Sequence, residues 1–455
     1  MVNFLNQTNH FGFLSVLGNV ILLLNQQTPV MKSYLPFLLL LFVGLMSCEQ
    51  EECNTFYSFT AFEPVYKTAR EINEDIVFVE DRALENPGKF YYLNNLILIN
   101  ERGAGVHIID NSDITDPQKL GFIAIEGNED ISLSGHFIYA DTWQNIIVID
   151  IENYREPKVV NVINGVKDEI WPVDDGLFIV DYQEVARTEQ VPCEDFDDIF
   201  FFTDNRLWIE NSVDVADFVG SPQSADAPAA GGGAEGQAGS LTRMALFNDH
   251  FYYINSHTMH IFDVQDLSEP DKLNEVYMEW GIETIFPYRE NLFIGANNGM
   301  HIFDNSVPSN PVYLSTFAHA NACDPVVVQG DLAYVTLRDG NDCQNFINQL
   351  DVVDVSDLLR PELLASFPMH NPHGLSVRGD HLYLCEADQG LKVFDISEPE
   401  EIDRNQIGHY EDQFAYDVIS VSSDLLLMIG DDGFYQFDTR QPERLEILSS
   451  IKVGQ

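Results

Sequence analysis

Short apolar runs that close on an aspartate recur along most of this chain. VHIID ends at Asp110, IIVID at Asp150, and two MHIFD copies at Asp263 and Asp304. DVVD ends at Asp354, KVFD at Asp395 and YQFD at Asp438, so the successive spacings are 40, 113, 41, 50, 41 and 43 residues. A period of about 40 residues marks a stacked repeat, in which no unit buries its apolar face alone.

Each unit reads as four strands. In the second unit these are DISLS, FIYADT, IIVIDI and KVVNVI, with SGH and ENYREP among the turns between them. The runs are short and rich in Val, Ile, Phe and Tyr, as strands are. IIVID is apolar at successive positions, which suits a sheet covered on both faces. The pattern predicts an all-β fold, a β-propeller of four-stranded blades. Second strands at LILIN, FIYAD, LFIVD, FYYIN, LFIGA, LAYVT, LYLCE and LLLMI predict eight blades. Seven is the alternative, because the third unit, EIWPVDDGLFIVDY, loses its turn Asp and Pro. DIVFVE precedes the first blade and is expected either to extend the last blade or to mend the third. The closing Asp plays a local part. In Asp395-Ile396-Ser397-Glu398-Pro399, for example, its carboxylate accepts N–H groups of the turn that follows.

The repeat resembles the LVIVD-repeat family of bacterial surface lipoproteins. GVHIIDNSD, GHFIYADT, GGGAEGQAGSLTRMALF, CDPVVVQGDLAYVTLRDG, NPHGLSV and YDVISV carry the resemblance, which covers nearly all of residues 63–455. It implies a fold and a cellular address, and no particular reaction.

Three regions follow along the chain. Residues 1–47 form the signal region. Within it, 31–47 read as a lipoprotein signal peptide: Met31-Lys32-Ser33, an apolar run from Leu35 to Met46, then the lipobox-like Leu45-Met46-Ser47-Cys48. Acyl chains on Cys48 would then anchor the protein to the membrane without a spanning helix. Residues 1–30 contain no Asp, Glu, Lys or Arg and are expected to be a spurious upstream extension, Met31 being the natural start. If translated, their apolar run from Phe11 to Leu24 is short for a membrane span. Residues 48–62 read as an acidic tether, and Glu49-Gln50-Glu51-Glu52 is similar to the acidic tag of outer-face lipoproteins in Bacteroidetes-type bacteria. The propeller takes residues 63–455, interrupted by a flexible insertion at about 185–240 that includes SPQSADAPAAGGGAEGQAGS. The expected localisation is the cell envelope, as an outer-membrane lipoprotein exposed at the surface.

Charge narrows the partners. Against 73 acidic residues there are 23 basic ones, a formal charge of −50, which repels phosphate and argues against nucleic acid. A monomer with a protein or glycan partner is the expectation. An exported chain holds disulfides, and Cys323 with Cys343 is the preferred pair, pinning the loop DGNDCQNFINQ. A link of that length offsets about 3 kcal/mol of ordering cost.

His107, His260 and His301 share one register, but on third strands of separate sheets about 10 Å apart they cannot meet at one metal ion and read as structural. The innermost strands converge on the axis. Their starts carry Asp130, Glu169, Glu283, Asp324 and Asp417, with Arg243 and His373 at the same level. These seven residues are the candidate ligand site at the channel mouth. Such an oxygen-rich ring suits a hard cation, calcium being the candidate, or a basic or hydroxylated ligand. No P-loop, HExxH, EF-hand loop or nucleophile elbow is present. The reading is therefore a lipid-anchored binding or scaffold module. The alternative is a hydrolase- or lyase-type envelope enzyme using the channel carboxylates and His373 as acid and base.

Overall fold

A computed structural model describes residues 54–68, 71, 76–142, 145–167, 177–192, 237–278, 281–318, 325–338 and 348–454. Seven blades are seen, at residues 87–124, 131–163, 244–277, 282–318, 326–368, 375–410 and 417–452, here blades 1 to 7. Each is an antiparallel meander of four strands, the innermost first. Inner strands of successive blades touch in chain order from 1 to 7, and blade 7 packs back on blade 1. The fold is thus a closed seven-bladed β-propeller.

The core lies between the blades. Its third strands are buried on both faces, as in Ile146–Asp150, where only the terminal Asp is partly open. That burial is why IIVID and its equivalents are apolar without alternation. Fourth strands form the rim, and there alternation returns, as in Asp271–Tyr277. Ring closure uses the same packing: Phe90, Ile97 and Ile99 of blade 1 meet Ile419, Leu427 and Phe434 of blade 7. Inside that seam, Asn111 and Gln436 exchange two amide hydrogen bonds of 2.9 and 2.6 Å.

The third and fourth strands of every blade slip register once, beside the closing Asp. A bulge there sharpens the local twist. The Asp itself does what the turn chemistry predicts. Asp110, Asp150, Asp263, Asp304, Asp354, Asp395 and Asp438 each accept the backbone N–H two residues on, at 2.8 to 2.9 Å.

Of the two expected counts, eight is corrected and the alternative of seven holds. LFIVD, read as the second strand of the third of eight blades, begins the long strand Leu177–Pro192, which pairs with Asn54–Thr68 in a separate two-stranded sheet. Among the described residues no third and fourth strand joins it to complete a blade. The partner strand takes up residues read as the end of the acidic tether. DIVFVE neither extends the last blade nor mends the third unit: Val77–Val79 adds a fifth strand to the rim of blade 1, on Phe122–Ala124. By contact density the chain divides into two compact units, residues 60–186 with 205–455, which hold all the blades, and residues 1–59 with 187–204. In the smaller unit Ser58 and Thr188 share a hydroxyl hydrogen bond of 2.9 Å. Cys48, Cys323 and Cys343, and so the lipidation and disulfide expectations, lie outside the described residues.

The three third-strand histidines are structural, as their register implies. His107 meets Glu101 at 3.0 Å, His301 meets Thr316 at 2.7 Å, and His260 lies 3.4 Å from Glu275.

Candidate functional site

Inner strands start, and second strands end, at one end of the ring, because the pairing is antiparallel: Asp417 opposes Ile429 while Asp438 opposes Leu425. This end is the mouth; the seven Asp turns occupy the other. Two structures meet at the mouth, a chain segment that crosses the axis side of blade 1 and an arc of charged and aromatic side chains.

The segment is the end of the insertion. Gln237–Ala238 pairs antiparallel with Tyr92 and Tyr91, adding a strand inside the innermost strand of blade 1. Its continuation is tied to both neighbouring blades. Asp417 of blade 7 accepts the backbone N–H and hydroxyl of Ser240 on one oxygen, both at 3.0 Å, and Ser240 Oγ accepts the Leu375 N–H at 2.9 Å. Asp130, at the start of blade 2, accepts the Arg243 N–H at 2.8 Å and the Lys89 ammonium at 2.8 Å. Thr242 Oγ1 sits between Asp130 and the Tyr91 hydroxyl, 2.7 Å from the latter. Gly374 leaves the room this requires, since a Cβ there would stand 2.1 Å from Asp417 Oδ1 and 2.6 Å from Ser240 Oγ. Three stretches that carried the family resemblance, GGGAEGQAGSLTRMALF, NPHGLSV and YDVISV, therefore meet at one point, through Ser240, Gly374 and Asp417.

Burial sets the chemistry of these acids. Asp417 is enclosed, its Oδ2 has no partner among the described residues, and desolvation raises its pKa well above the carboxylate range. Asp130 is raised too, by burial first, with Lys89 opposing. Glu129 beside it is pushed up to about 8, by burial and then by the Asp141 charge, against Lys167, Arg102 and Lys89. Asp141 in turn accepts the Glu129 and Asp130 N–H groups at 2.7 and 2.8 Å and the Lys167 ammonium at 3.0 Å.

The arc runs over consecutive blades 5, 6, 7 and 1. Arg338 follows the second strand of blade 5 and donates to His373 Nε2 at 2.9 Å. His373 Nδ1–H donates to the Asn371 carbonyl at 2.9 Å, which fixes the neutral tautomer. Burial, then the Arg338 charge, drops the imidazole to about 3. The His373 ring lies 5.2 Å from Tyr416, and Tyr416 makes an edge contact with Phe414 at 4.8 Å. On the other side Arg102 places its guanidinium 5.5 Å from the centre of the Tyr416 ring. Arg102 makes no side-chain hydrogen bond or ion pair among the described residues.

Of the seven residues expected at the mouth, Asp130, Arg243, His373 and Asp417 lie there. Asp130 and Asp417 flank blade 1 and act together on Tyr91. Glu283 lies on the inner strand of blade 4, and Glu169 and Asp324 fall outside the described residues. Among the described residues no three or more His, Cys, Asp or Glu side chains are grouped to hold a metal ion. Sequence reasoning missed Arg102, Arg338 and Tyr416. The available signal was register: counted from the residues facing Asp110 and Asp354, Leu96 and Leu332, both arginines stand at the same step past the second strand.

A closed ring with a side-chain-lined mouth defines a seven-bladed propeller, a class that recurs with unrelated functions. The LVIVD repeat model matches residues 127–163, 321–368 and 372–402, so this chain carries LVIVD repeats. No curated protein matches its sequence. Among solved structures, BamB from Moraxella catarrhalis is 9% identical with a TM-score of 0.47, over 84% of this chain and 97% of that one. Hsv2p of Kluyveromyces lactis is 10% identical with a TM-score of 0.45, over 82% and 100%. The computationally designed Ika8 protein is 10% identical with a TM-score of 0.47, over 83% and 92%.

Proposed function

We propose that this protein is a binding or scaffold module of the cell envelope, anchored through lipid on Cys48, that takes its ligand or partner at the mouth of the ring. One observation carries the reading: side chains remote in sequence, Arg102, Glu129, Lys167, Arg338 and Tyr416, converge at one end of the ring, where their charges act on shared neighbours. Loops on a rigid scaffold are where recognition is concentrated. The signal-like run from Leu35 to Met46 and the following Cys48 support the address. An envelope hydrolase or lyase has one observation in its favour, that Glu129 keeps its proton up to about pH 8 and so suits general acid work.

The test has two arms. Metabolic labelling with a radioactive fatty acid should mark the full chain and fail to mark Cys48→Ala; equal labelling would remove the anchor. Capture from intact cells with the full chain as bait should recover a partner that Tyr416→Ala loses. A partner retained by that variant would move recognition away from the mouth.

A further inference from the structure

Away from the blades, the register of the two-stranded ribbon points at two cysteines. Asn54–Thr68 and Leu177–Pro192 pair with each other alone among the described residues. Ser58 Oγ and Thr188 Oγ1 lie 2.9 Å apart, so these two residues face each other across the ribbon. Ser58 is four residues in from Asn54, and Thr188 is four residues in from Pro192. The strands therefore run antiparallel with these ends level. A parallel pairing through the same contact would leave residues 63–68 and 177–183 without partners. The boundary between the two compact units crosses both strands in the same register, after Phe59 on one and before Arg187 on the other. In the sequence, Cys53 directly precedes Asn54 and Cys193 directly follows Pro192.

We propose that Cys53 and Cys193 form a disulfide that closes this end of the ribbon. One further step of the ladder makes them a facing pair. Facing residues of an antiparallel pair have Cα atoms about 4.5 or 5.5 Å apart, and a disulfide spans about 4.4–6.8 Å. A two-stranded ribbon alone is marginally stable in water, and near this end Ser58, Arg187 and Thr188 are exposed, so a covalent link replaces burial that the ribbon lacks. The other cysteines do not compete: Cys385 is buried and free, Cys48 is the expected lipid site, and Cys323 with Cys343 is the expected loop pair. The two thiols give up two protons and two electrons and gain one S–S bond. The electrons reduce the disulfide of an exchange partner, an envelope dithiol oxidoreductase or oxidised glutathione, to two thiols. The bridge goes beyond the binding reading and takes from it only the oxidising envelope. It joins the start of the insertion to the chain five residues after Cys48.

The experiment maps the thiols of the full chain twice, once as taken from cell envelopes and once after reduction and reoxidation in a glutathione buffer. Free thiols are alkylated in denaturant without reductant. The chain is then cut with trypsin and a glutamate-specific protease, which separates Cys48 from Cys53. Mass spectrometry should find the peptide 53–67 joined to the peptide 190–194, two hydrogens lighter than the pair apart. Alkylation at either cysteine should rise about tenfold or more when the protein is reduced first. Cys193→Ser should leave Cys53 alkylated and joined to nothing. Free thiols at Cys53 and Cys193 in both preparations, or either of them joined to Cys323, Cys343 or Cys385 instead, overturns the proposal. A link in the glutathione buffer with free thiols in the cellular protein upholds the pairing and counts against the envelope address.

Discussion

The two ends of the ring use the same carboxyl group in opposite ways. At the turn end, seven aspartates accept N–H groups from their own turns, two residues away, in water. There hydrogen bonds favour the ionised form of Asp354, held below the usual range by Ser356, and of Asp438, which falls to about 2 beside Arg440. At the mouth the partners come from distant blades, and Asp130 and Asp417 are buried. Asp417 reaches Ser240, 177 residues away in sequence, and Asp130 reaches Thr242 and Arg243. Burial raises these acids, and it raises Glu129 to about 8. Local partners make an aspartate a turn element; non-local partners and desolvation make it a clasp for the returning chain.

The largest effect should come from removing the clasp. Asp417→Ala leaves the Ser240 N–H and the Val418 N–H without their acceptor in a closed site, with an expected loss of about 2–4 kcal/mol. Asp417→Asn keeps the accepting oxygen and puts an amide N–H in the place of Oδ2, and should cost less than about 1 kcal/mol because burial favours an uncharged group there. Denaturant midpoints of the two variants at neutral pH check this. An equally large loss in both would mean that the native carboxyl is ionised, and the contrast between the ends would shrink to one of sequence distance.

Glu129 sharpens the contrast through pH. Its folded pKa, about 8, lies above the unfolded value of about 4.5, so the folded state holds the extra proton between them. Stability linked to this group is therefore complete below about pH 4.5 and lost as pH rises through 8. Glu129→Gln should equal the parent near pH 4.5 and gain by pH 9 on the order of 1–2 kcal/mol, the ~5 kcal/mol of the full shift being reduced because the side chain is partly open to water. Thermal unfolding of both proteins across that range reads the difference, and parallel profiles would place Glu129 in water.

How much of this the sequence disclosed follows the same division. The blades, their strand order and the turn role of Asp were legible, because a period of about 40 and an i to i+2 hydrogen bond are local features. Asp130, Asp417 and His373, read as lying at inner strand starts, do stand at the mouth. Their partners were not legible. Ser240 sits in a run of Gly and Ala that reads as linker, and nothing near it announces that it will lie inside blade 1. LFIVD misled for a related reason: an apolar run specifies a strand, whereas its partner is set by the fold, and here that partner is Asn54–Thr68. Arg102 and Arg338 lie 236 residues apart, and only the closure of the ring, with blades 5, 6, 7 and 1 side by side, makes them neighbours of one tyrosine.

The smallest effect should come from the turn end, and it bears on the comparison most directly. Asp354→Ala removes one carboxylate whose partner is the turn around Ser356, on an exposed loop. Water can take over the freed N–H, so the loss should be about 0.5–1 kcal/mol at neutral pH. The folded pKa lies below the unfolded one, so the contribution is present above the unfolded pKa and fades as pH falls through the folded value. The variant and parent should thus converge in acid and stay a constant distance apart from neutral to alkaline pH, whereas Glu129→Gln and its parent agree in acid and part only as pH rises. The same substitution at Asp304, whose partner is Ser306 at 2.8 Å, should give the same small figure, because the two turns share one geometry. Chemical denaturation of both variants measures it. A loss at either turn that matched Asp417→Ala would show that the outer carboxylates hold the ring together as strongly as the inner ones, against the division drawn from their surroundings.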